Sequence, residues 1–446
     1  MKPLPILLTI ALILATSCSQ QKRSDAKPTI VLIMADDLGY GDISCYGNTS
    51  IHTPNLDSLA ARGIRFTDFH SNGSVCSPTR AALMTGKYQH RTGVGGVITA
   101  KNHRDVGLPL DEITIAEELK KYKYNCAMFG KWHLGYSKEY NPTLQGFDEF
   151  KGYVSGNVDY LAHIDQEGYP DWWMDSEIHN EQGYSTDLIT EYGVDYIKRN
   201  RPEITDTPFF LYLPYETPHS PYQTRESEAL RTLGTPGTRH VEADSIPSIY
   251  KEMVEIMDEG IGKIIEALKE TGQYETSIIV FISDNGANKR GSNGPLRGFK
   301  GGAYEGGSRV PAIISYPDKI QQGVINDQVV LSMDLLPTLL DFIGEKPSAT
   351  NIDGISIKDN LLHQADLPQR DVFFMYKNKR FIRSGDWKLI GVEDETGIKT
   401  ELYNVSNDLA EKNNVAADHP ELLTDLMDKL ERWTEDVTHG VDMVSE

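Results

Sequence analysis

Positive charge is scarce in this chain: 44 Lys and Arg stand against 65 Asp and Glu, a formal net charge of −21 over 446 residues. So acidic a surface disfavours nucleic acid or an anionic membrane as partner, because phosphates must be met by Lys and Arg. Cysteine is scarcer still, at four. That is too few for a disulfide framework in a protein of this length. Cys45 and Cys126 therefore read as structural residues, able to pair in an oxidising compartment but not obliged to. After the N-terminus no apolar run is long enough to span a bilayer. There is no fixed-period repeat, and no low-complexity tract follows the N-terminal tether. The phosphate loop G-x-x-x-x-G-K-[ST] is absent too, since Gly86-Lys87 is followed by Tyr88. The acidity does not exclude an anionic ligand, because charges beyond a Debye length of ~8 Å are largely screened. It requires instead that a pocket for one be strongly basic.

What is present begins with Lys2, an apolar run over 4–14 and then Ala15-Thr16-Ser17-Cys18. The run is too short for a membrane span and has the layout of a secretory signal. A cysteine directly after small residues resembles the lipobox of bacterial lipoproteins. That makes Cys18 the lipidated mature N-terminus, and the protein an exported periplasmic or cell-surface lipoprotein that meets the membrane through that lipid alone. An ordinary signal peptide with a cysteine near its cleavage site is the alternative. Residues 1–27 are set aside as signal and tether.

Hydrophobic content of 39% and charged content of 24% fit a chain that buries a sizeable core. Short apolar runs at 29–34, 126–129, 209–213, 277–282 and 312–315 predict buried strands. Amphipathic segments at 54–62, 113–121, 185–200, 249–270 and 333–343 predict helices. Strands alternating with helices imply an α/β fold with a large, mixed, mostly parallel sheet sandwiched by helices. After about residue 345 the texture changes: strand candidates at 373–375, 380–383, 387–392 and 401–403 precede a helix at 420–435. This predicts a smaller C-terminal α+β domain with an antiparallel sheet. The expected division is a catalytic domain over 28–344 and a subdomain over 345–446, the junction lying somewhere within 344–369.

Two predicted strands end alike, one running into Asp36-Asp37 and another into Asp284-Asn285. Ligands bind at the carboxyl ends of strands in open parallel sheets, and two oxygen-rich doublets converging there suit a hard cation such as Ca²⁺. Plain turn chemistry is the other reading of Asp36-Asp37-Leu38-Gly39 and Asp284-Asn285-Gly286. The most specific pattern is Cys76-Ser77-Pro78-Thr79-Arg80, continuing to Thr85-Gly86. Pro78 suits a first helical position, which puts Cys76 at a helix N-terminus, where a thiolate or any developing anion is favoured.

Here the sequence resembles the formylglycine-dependent (type I) sulfatases of the alkaline-phosphatase superfamily. Cys76-x-Pro78-x-Arg80 matches the signature read by the formylglycine-generating maturation enzyme. Ala35-Asp36-Asp37-Leu38-Gly39, Gly130-Lys131-Trp132-His133, Thr217-Pro218-His219-Ser220-Pro221, Ser283-Asp284-Asn285-Gly286, Leu296-Arg297-Gly298-Phe299-Lys300 and Glu305-Gly306-Gly307-Ser308-Arg309 look like family blocks in the family's order. The resemblance runs over essentially 28–446. It implies an alkaline-phosphatase-like fold and two cofactors, Ca²⁺ and a formylglycine (3-oxoalanine) made from Cys76. The ion would be held by Asp36, Asp37, Asp284, Asn285 and an oxygen of modified Cys76. One hydroxyl of the hydrated aldehyde would attack sulfur with help from Asp284, and the other would let sulfate leave, splitting one hard step into two. Arg80 and Lys131 would hold the diol, and His133 would take the proton that triggers elimination. His219 and Lys300 would grip the sulfate and protonate the leaving oxygen. Lys131, His219, Lys300 and Arg297 are the substrate-binding candidates, while Arg309 reads as equally suited to a structural role.

The expected activity is hydrolysis of sulfate esters, of a sulfated carbohydrate or an aryl sulfate. Two other readings compete: a phosphatase or phosphodiesterase of the same superfamily, and an inactive glycan-binding lipoprotein on the same fold. The sugar and its sulfate position depend on loops such as 154–184 and 222–246, which carry no readable pattern. Trp172-Trp173 and Tyr160 suit stacking on a sugar and core packing equally.

Overall fold

A computed structural model describes residues 27–444, so the signal and Cys18 lie outside the described residues. Its spine is a ten-stranded sheet. Thr29–Ala35, at the middle, pairs in parallel with Phe209–Pro214 on one side and Ser277–Ser283 on the other. Asn125–Lys131 and Glu149–Tyr153 extend the parallel run beyond Phe209–Pro214. On the opposite flank Ala312–Ser315 is antiparallel. The sheet is therefore mixed and mostly parallel. Its central strands are unbroken apolar runs because both faces are covered. Ile30, Leu32 and Met34 pack into one core and Val31, Ile33 and Ala35 into another, the two-residue alternation of a pleated strand. Cys76–Thr85, Ile115–Lys121 and Leu335–Phe342 cover the first face. Pro54–Ala61, Ser185–Arg199 and Ile246–Glu270 cover the second.

Ile357 and Leu361 still pack in the first core. The chain then enters a four-stranded antiparallel sheet, Asp371–Tyr376, Lys379–Ser384, Trp387–Asp394 and Gly397–Asn404. The helix Pro420–Thr438 lies on it through Leu426, Leu430, Trp433 and Val437, spaced to form one face. Ala82, Tyr88, Leu331 and Met333 of the larger unit join this third core. Buried ion pairs add to the junction. Lys388 Nζ lies 2.8 Å from Glu305 and 3.0 Å from Glu411, and Arg309 and Arg383 lie 3.3 and 3.0 Å from Asp68. Arg309 thus has a structural role. Cys45, Cys76 and Cys126 are all unpaired. Among the described residues no helix is long and apolar enough to cross a membrane.

Candidate active site

Four adjacent strands deliver the site at their carboxyl ends. Thr29–Ala35 leads to Asp36 and Asp37, and Ser277–Ser283 to Asp284 and Asn285. Asn125–Lys131 ends on Lys131 with His133 just beyond, and Phe209–Pro214 leads to His219. The helix Cys76–Thr85 points its first residue at the same place, and every residue of it is buried. The helix starts two residues before the position expected from Pro78. A proline within the first turn costs nothing, since that turn's N–H groups have no helical partner.

The side chains converge. Cys76 Sγ is 3.2 Å from Lys300 Nζ and 3.6 Å from Asp36 Oδ1. One ligand atom each from Asp36, Asp37, Cys76 and His219 lies within 4.8 Å of the others. Lys131 Nζ binds Asp36 at 2.5 Å, Lys300 Nζ binds Asp37 at 2.6 Å, and Arg80 binds Asp284 at 2.8 Å. Arg80 also donates to the Lys131 carbonyl at 3.1 Å. Asp37 is further held by Asn285 Nδ2 at 2.7 Å and Asn288 Nδ2 at 3.2 Å, while its own N–H donates to Asp284 Oδ1 at 3.1 Å. Its φ of 65° and the φ of 55° at His133 are left-handed, which is unusual for residues with a side chain.

Burial and neighbours set the charges. Burial, then the neighbouring Asp36, pushes Asp284 up to about 6, although Arg80 and Lys131 oppose it. Burial also works to raise Asp37, but Lys300 and His219 hold it below the usual carboxylate range. Burial would lower Lys300, yet Asp37 and the other anionic neighbours raise it well above an ordinary lysine, so it stays charged. Burial lowers His219 to about 3 despite Asp37. Burial, Lys131 and Arg80 put His133 well below the usual imidazole range. His133 Nε2 lies 2.9 Å from the Ile98 carbonyl, so in neutral His133 the proton sits there and the buried Nδ1, which has no partner, carries the lone pair. The thiol departs from expectation. Burial lifts Cys76 to about 12, outweighing Lys131 and Lys300. The helix N-terminus does not turn it into a thiolate, and as a plain cysteine it is a poor nucleophile.

A hard dication fits these residues. The donors are oxygen-rich, and Asn285 Oδ1 is buried among the carboxylates without accepting a hydrogen bond. A second group, Asp68, His70 and Glu305, is equally close-set. It already has Arg309, Arg383 and Lys388 against its two carboxylates, and, unlike Asn285 Oδ1 in the first group, no oxygen of Asp68 or Glu305 is buried without a partner.

Of the residues expected from sequence, the structure gathers Asp36, Asp37, Cys76, Arg80, Lys131, His133, His219, Asp284, Asn285 and Lys300. Arg297 is a correction. Its guanidinium donates to the Glu411 carbonyl at 2.6 Å and the Tyr403 hydroxyl at 3.2 Å, and stacks 3.8 Å from the Tyr304 ring centroid. It braces the small sheet and does not line the cavity at Cys76. Trp172 and Tyr160 are buried core residues, 1% and 0% exposed. Two participants went unread. Asn288, three residues past Asn285 in a glycine-rich stretch, reaches Asp37. Glu216, a lone acid at the exit of an apolar strand, is fully buried beneath the site, and burial pushes it well above the carboxylate range.

A family model described as Sulfatase matches residues 28–345, and one described as N-sulphoglucosamine sulphohydrolase, C-terminal, matches 300–436. The chain is 34% identical over 381 residues to arylsulfatase A of Homo sapiens, covering 78% of this chain and 70% of the relative. It is 34% identical over 376 residues to N-acetylgalactosamine-6-sulfatase of Mus musculus, covering 79% and 69%. Among solved structures, Ps i-CgsB in complex with k-i-k-neocarrahexaose superposes with a TM-score of 0.81 at 30% identity, over 94% of this chain and 95% of that one.

Proposed function

The chain belongs to the sulfatase family and hydrolyses sulfate esters, and from that premise we propose that formylglycine made from Cys76 by a maturation enzyme provides its nucleophile, beside a calcium ion held by Asp36, Asp37, Asp284 and Asn285. The natural ester is an O-sulfate on a carbohydrate, with aryl sulfates as small surrogates. The observation carrying this reading is the meeting of Cys76, three carboxylates, an unsatisfied amide oxygen and Lys300 at one sheet edge.

The hydrated aldehyde would supply an oxygen nucleophile and a second hydroxyl through which sulfate leaves, and the ion would supply fixed positive charge. The protein's own groups do the rest. Lys300, permanently charged and 3.2 Å from the Cys76 sulfur, grips the sulfate and stabilises the charge that spreads over it. His133 Nδ1, neutral and unpartnered, accepts the proton released as sulfate departs. His219 has Nδ1 2.6 Å from the Ser220 carbonyl, so when neutral it carries its proton there and Nε2 is an acceptor; the proton for the leaving oxygen is then Lys300's to give. Arg80 and Lys131 brace Asp284 and Asp36, offsetting the repulsion between the crowded carboxylates. Export, with or without a lipid on Cys18, brings such an enzyme to polymeric substrates outside the cell.

Mass spectrometry of the Cys76 peptide tests the first claim: the aldehyde is about 18 Da lighter than the thiol by atom counting. Sulfate release assayed with calcium and then with a chelator tests the second. Protein carrying the aldehyde should lose activity on chelation and regain it with calcium. Unimpaired turnover in chelator, or full turnover by Cys76→Ala, would refute the assignment.

A further inference from the structure

Above Cys76 lies a cavity of about 230 Å³, and the charge on its walls is unevenly placed. Cys76, His133, His219 and Lys300 form the end that takes the sulfate. The remaining polar lining consists of Thr99, Tyr136, Ser155, Asn157, Gln166 and Tyr376, joined by apolar Val75, Val97, Ile98 and Ala100. Among the described residues lining it, Lys300 is the sole permanently charged one, and no carboxylate lines it. Arg104 and Lys377 stand against the Tyr136 and Tyr376 rings, 5.5 and 5.3 Å from their centroids, but neither lines the cavity. A carboxylate or second sulfate on the bound ring would therefore meet no cation on the wall itself, and burying an unpaired charge is costly. Neutral hydroxyls and amides would find donors and acceptors.

One of those groups is fixed in advance. Asn157 is 8% exposed, and its side-chain oxygen faces Arg231 Nη2. A guanidinium only donates, so the atom turned toward it is Oδ1, and the amide nitrogen is left as a donor. Arg231 is itself locked: it donates to the Asn157 and Ile164 carbonyls at 3.1 and 3.0 Å and to Thr238 Oγ1 at 2.9 Å. Its main-chain N–H binds Asp159 at 2.9 Å. Residues from two loops without a readable sequence pattern are thereby stitched into one rigid wall. The next residue back, Gly156, sits against the catalytic-site imidazole: a Cβ there would come within 2.9 Å of His133 Nε2. Asn157 is therefore held in register with the reacting centre.

We infer that the sugar carrying the scissile sulfate is a neutral one, a hexose or N-acetylhexosamine without uronate or N-sulfate, and that Asn157, oriented by Arg231, donates its amide to a hydroxyl or carbonyl oxygen of that ring. This rests on the sulfatase reading and adds the substrate class. Arg231 is a positioning residue, and Asn157 a specificity-determining one.

The test compares kcat/KM on three kinds of substrate: an aryl sulfate, O-sulfated neutral hexoses and N-acetylhexosamines, and the same positions sulfated on a uronic acid or an N-sulfated glucosamine. The wild-type protein should favour the neutral sugars over the charged ones by tenfold or more. Asn157→Ala should lower the ratio of neutral-sugar to aryl-sulfate kcat/KM by about 10- to 100-fold, the usual cost of a lost reading contact in a buried site. Asn157→Asp keeps an oxygen for Arg231 while removing the donor, so it should lower the ratio as well. If Asn157→Asp keeps the wild-type ratio, the residue serves only to hold the loops and the inference fails. Equal or better turnover of the charged sugars also overturns it. Absence of turnover on all three kinds of substrate by wild-type protein carrying the aldehyde would instead overturn the sulfatase mechanism, and the inference with it.

Discussion

Replacing Lys300 by alanine isolates the charge that the site keeps ready for sulfate. The ammonium lies 3.2 Å from the Cys76 sulfur and 2.6 Å from Asp37, and its side chain is 21% exposed, so water screens it only in part. Removing one preorganised donor aimed at developing negative charge costs about 3–4 kcal/mol, or roughly 100- to 1000-fold in kcat. A sulfuryl group spreads its charge more strongly as the ester bond breaks than in the ground state, so kcat should fall more than KM rises. Lys300→Arg should recover little, because the longer planar fork cannot put one nitrogen where the ammonium stood. The assay is steady-state turnover of an aryl sulfate at saturating calcium, on protein whose aldehyde content is first matched to wild type. Asp37 keeps Asn285 and Asn288 as donors after the substitution, so the variant should fold. A kcat within about threefold of wild type would refute the role.

The remaining predictions concern pH and stability. His133 is held neutral by burial, Lys131 and Arg80, so it still accepts a proton when the medium is more acid than its ordinary value of 6.5. The acid limb of kcat should lie below that pH, and a limb at 6.5 that His133→Gln abolishes would contradict the assignment. The same shift acts on stability. Below pH 6.5 the unfolded chain binds a proton that folded His133 refuses, so this contribution falls as pH drops, which urea titrations at pH 7 and 5 would detect. Lys388 is wholly buried between Glu305 and Glu411. Lys388→Met leaves two carboxylates facing each other and should cost about 3–5 kcal/mol, read as a Tm loss of roughly 3–6 °C in a chain of this length. A loss below about 1 °C would show that the network adds nothing.

The sequence announced the sheet wherever a strand is buried on both faces, because an unbroken run such as Ile30-Val31-Leu32-Ile33-Met34 has few other uses. Ile64–Phe66 and Glu149–Tyr153 were illegible: each mixes charged and apolar residues and is a strand only because neighbours already stand beside it. The site was readable through its doublets and the Cys76 motif, whereas Asn288, Glu216 and the Asn157–Arg231 clamp depend on contacts between residues 74 to 251 positions apart or on depth alone. Arg297 was misread because its block sits beside Lys300 in sequence, while the Gly298 turn sends the two side chains opposite ways. The expectation of a strongly basic pocket also needs revision. Arg80, Lys131 and Lys300 are matched one to one by Asp284, Asp36 and Asp37, and both histidines are neutral. Protein groups alone therefore leave the site near electroneutral, in a chain of net charge −21. On the proposed reading, a dication added to that balanced set would supply the net positive charge that Lys300, already facing Asp37, does not supply alone. The three cations serve first to offset the repulsion of three carboxylates sharing one small buried volume, which an ion alone could not do before it arrives.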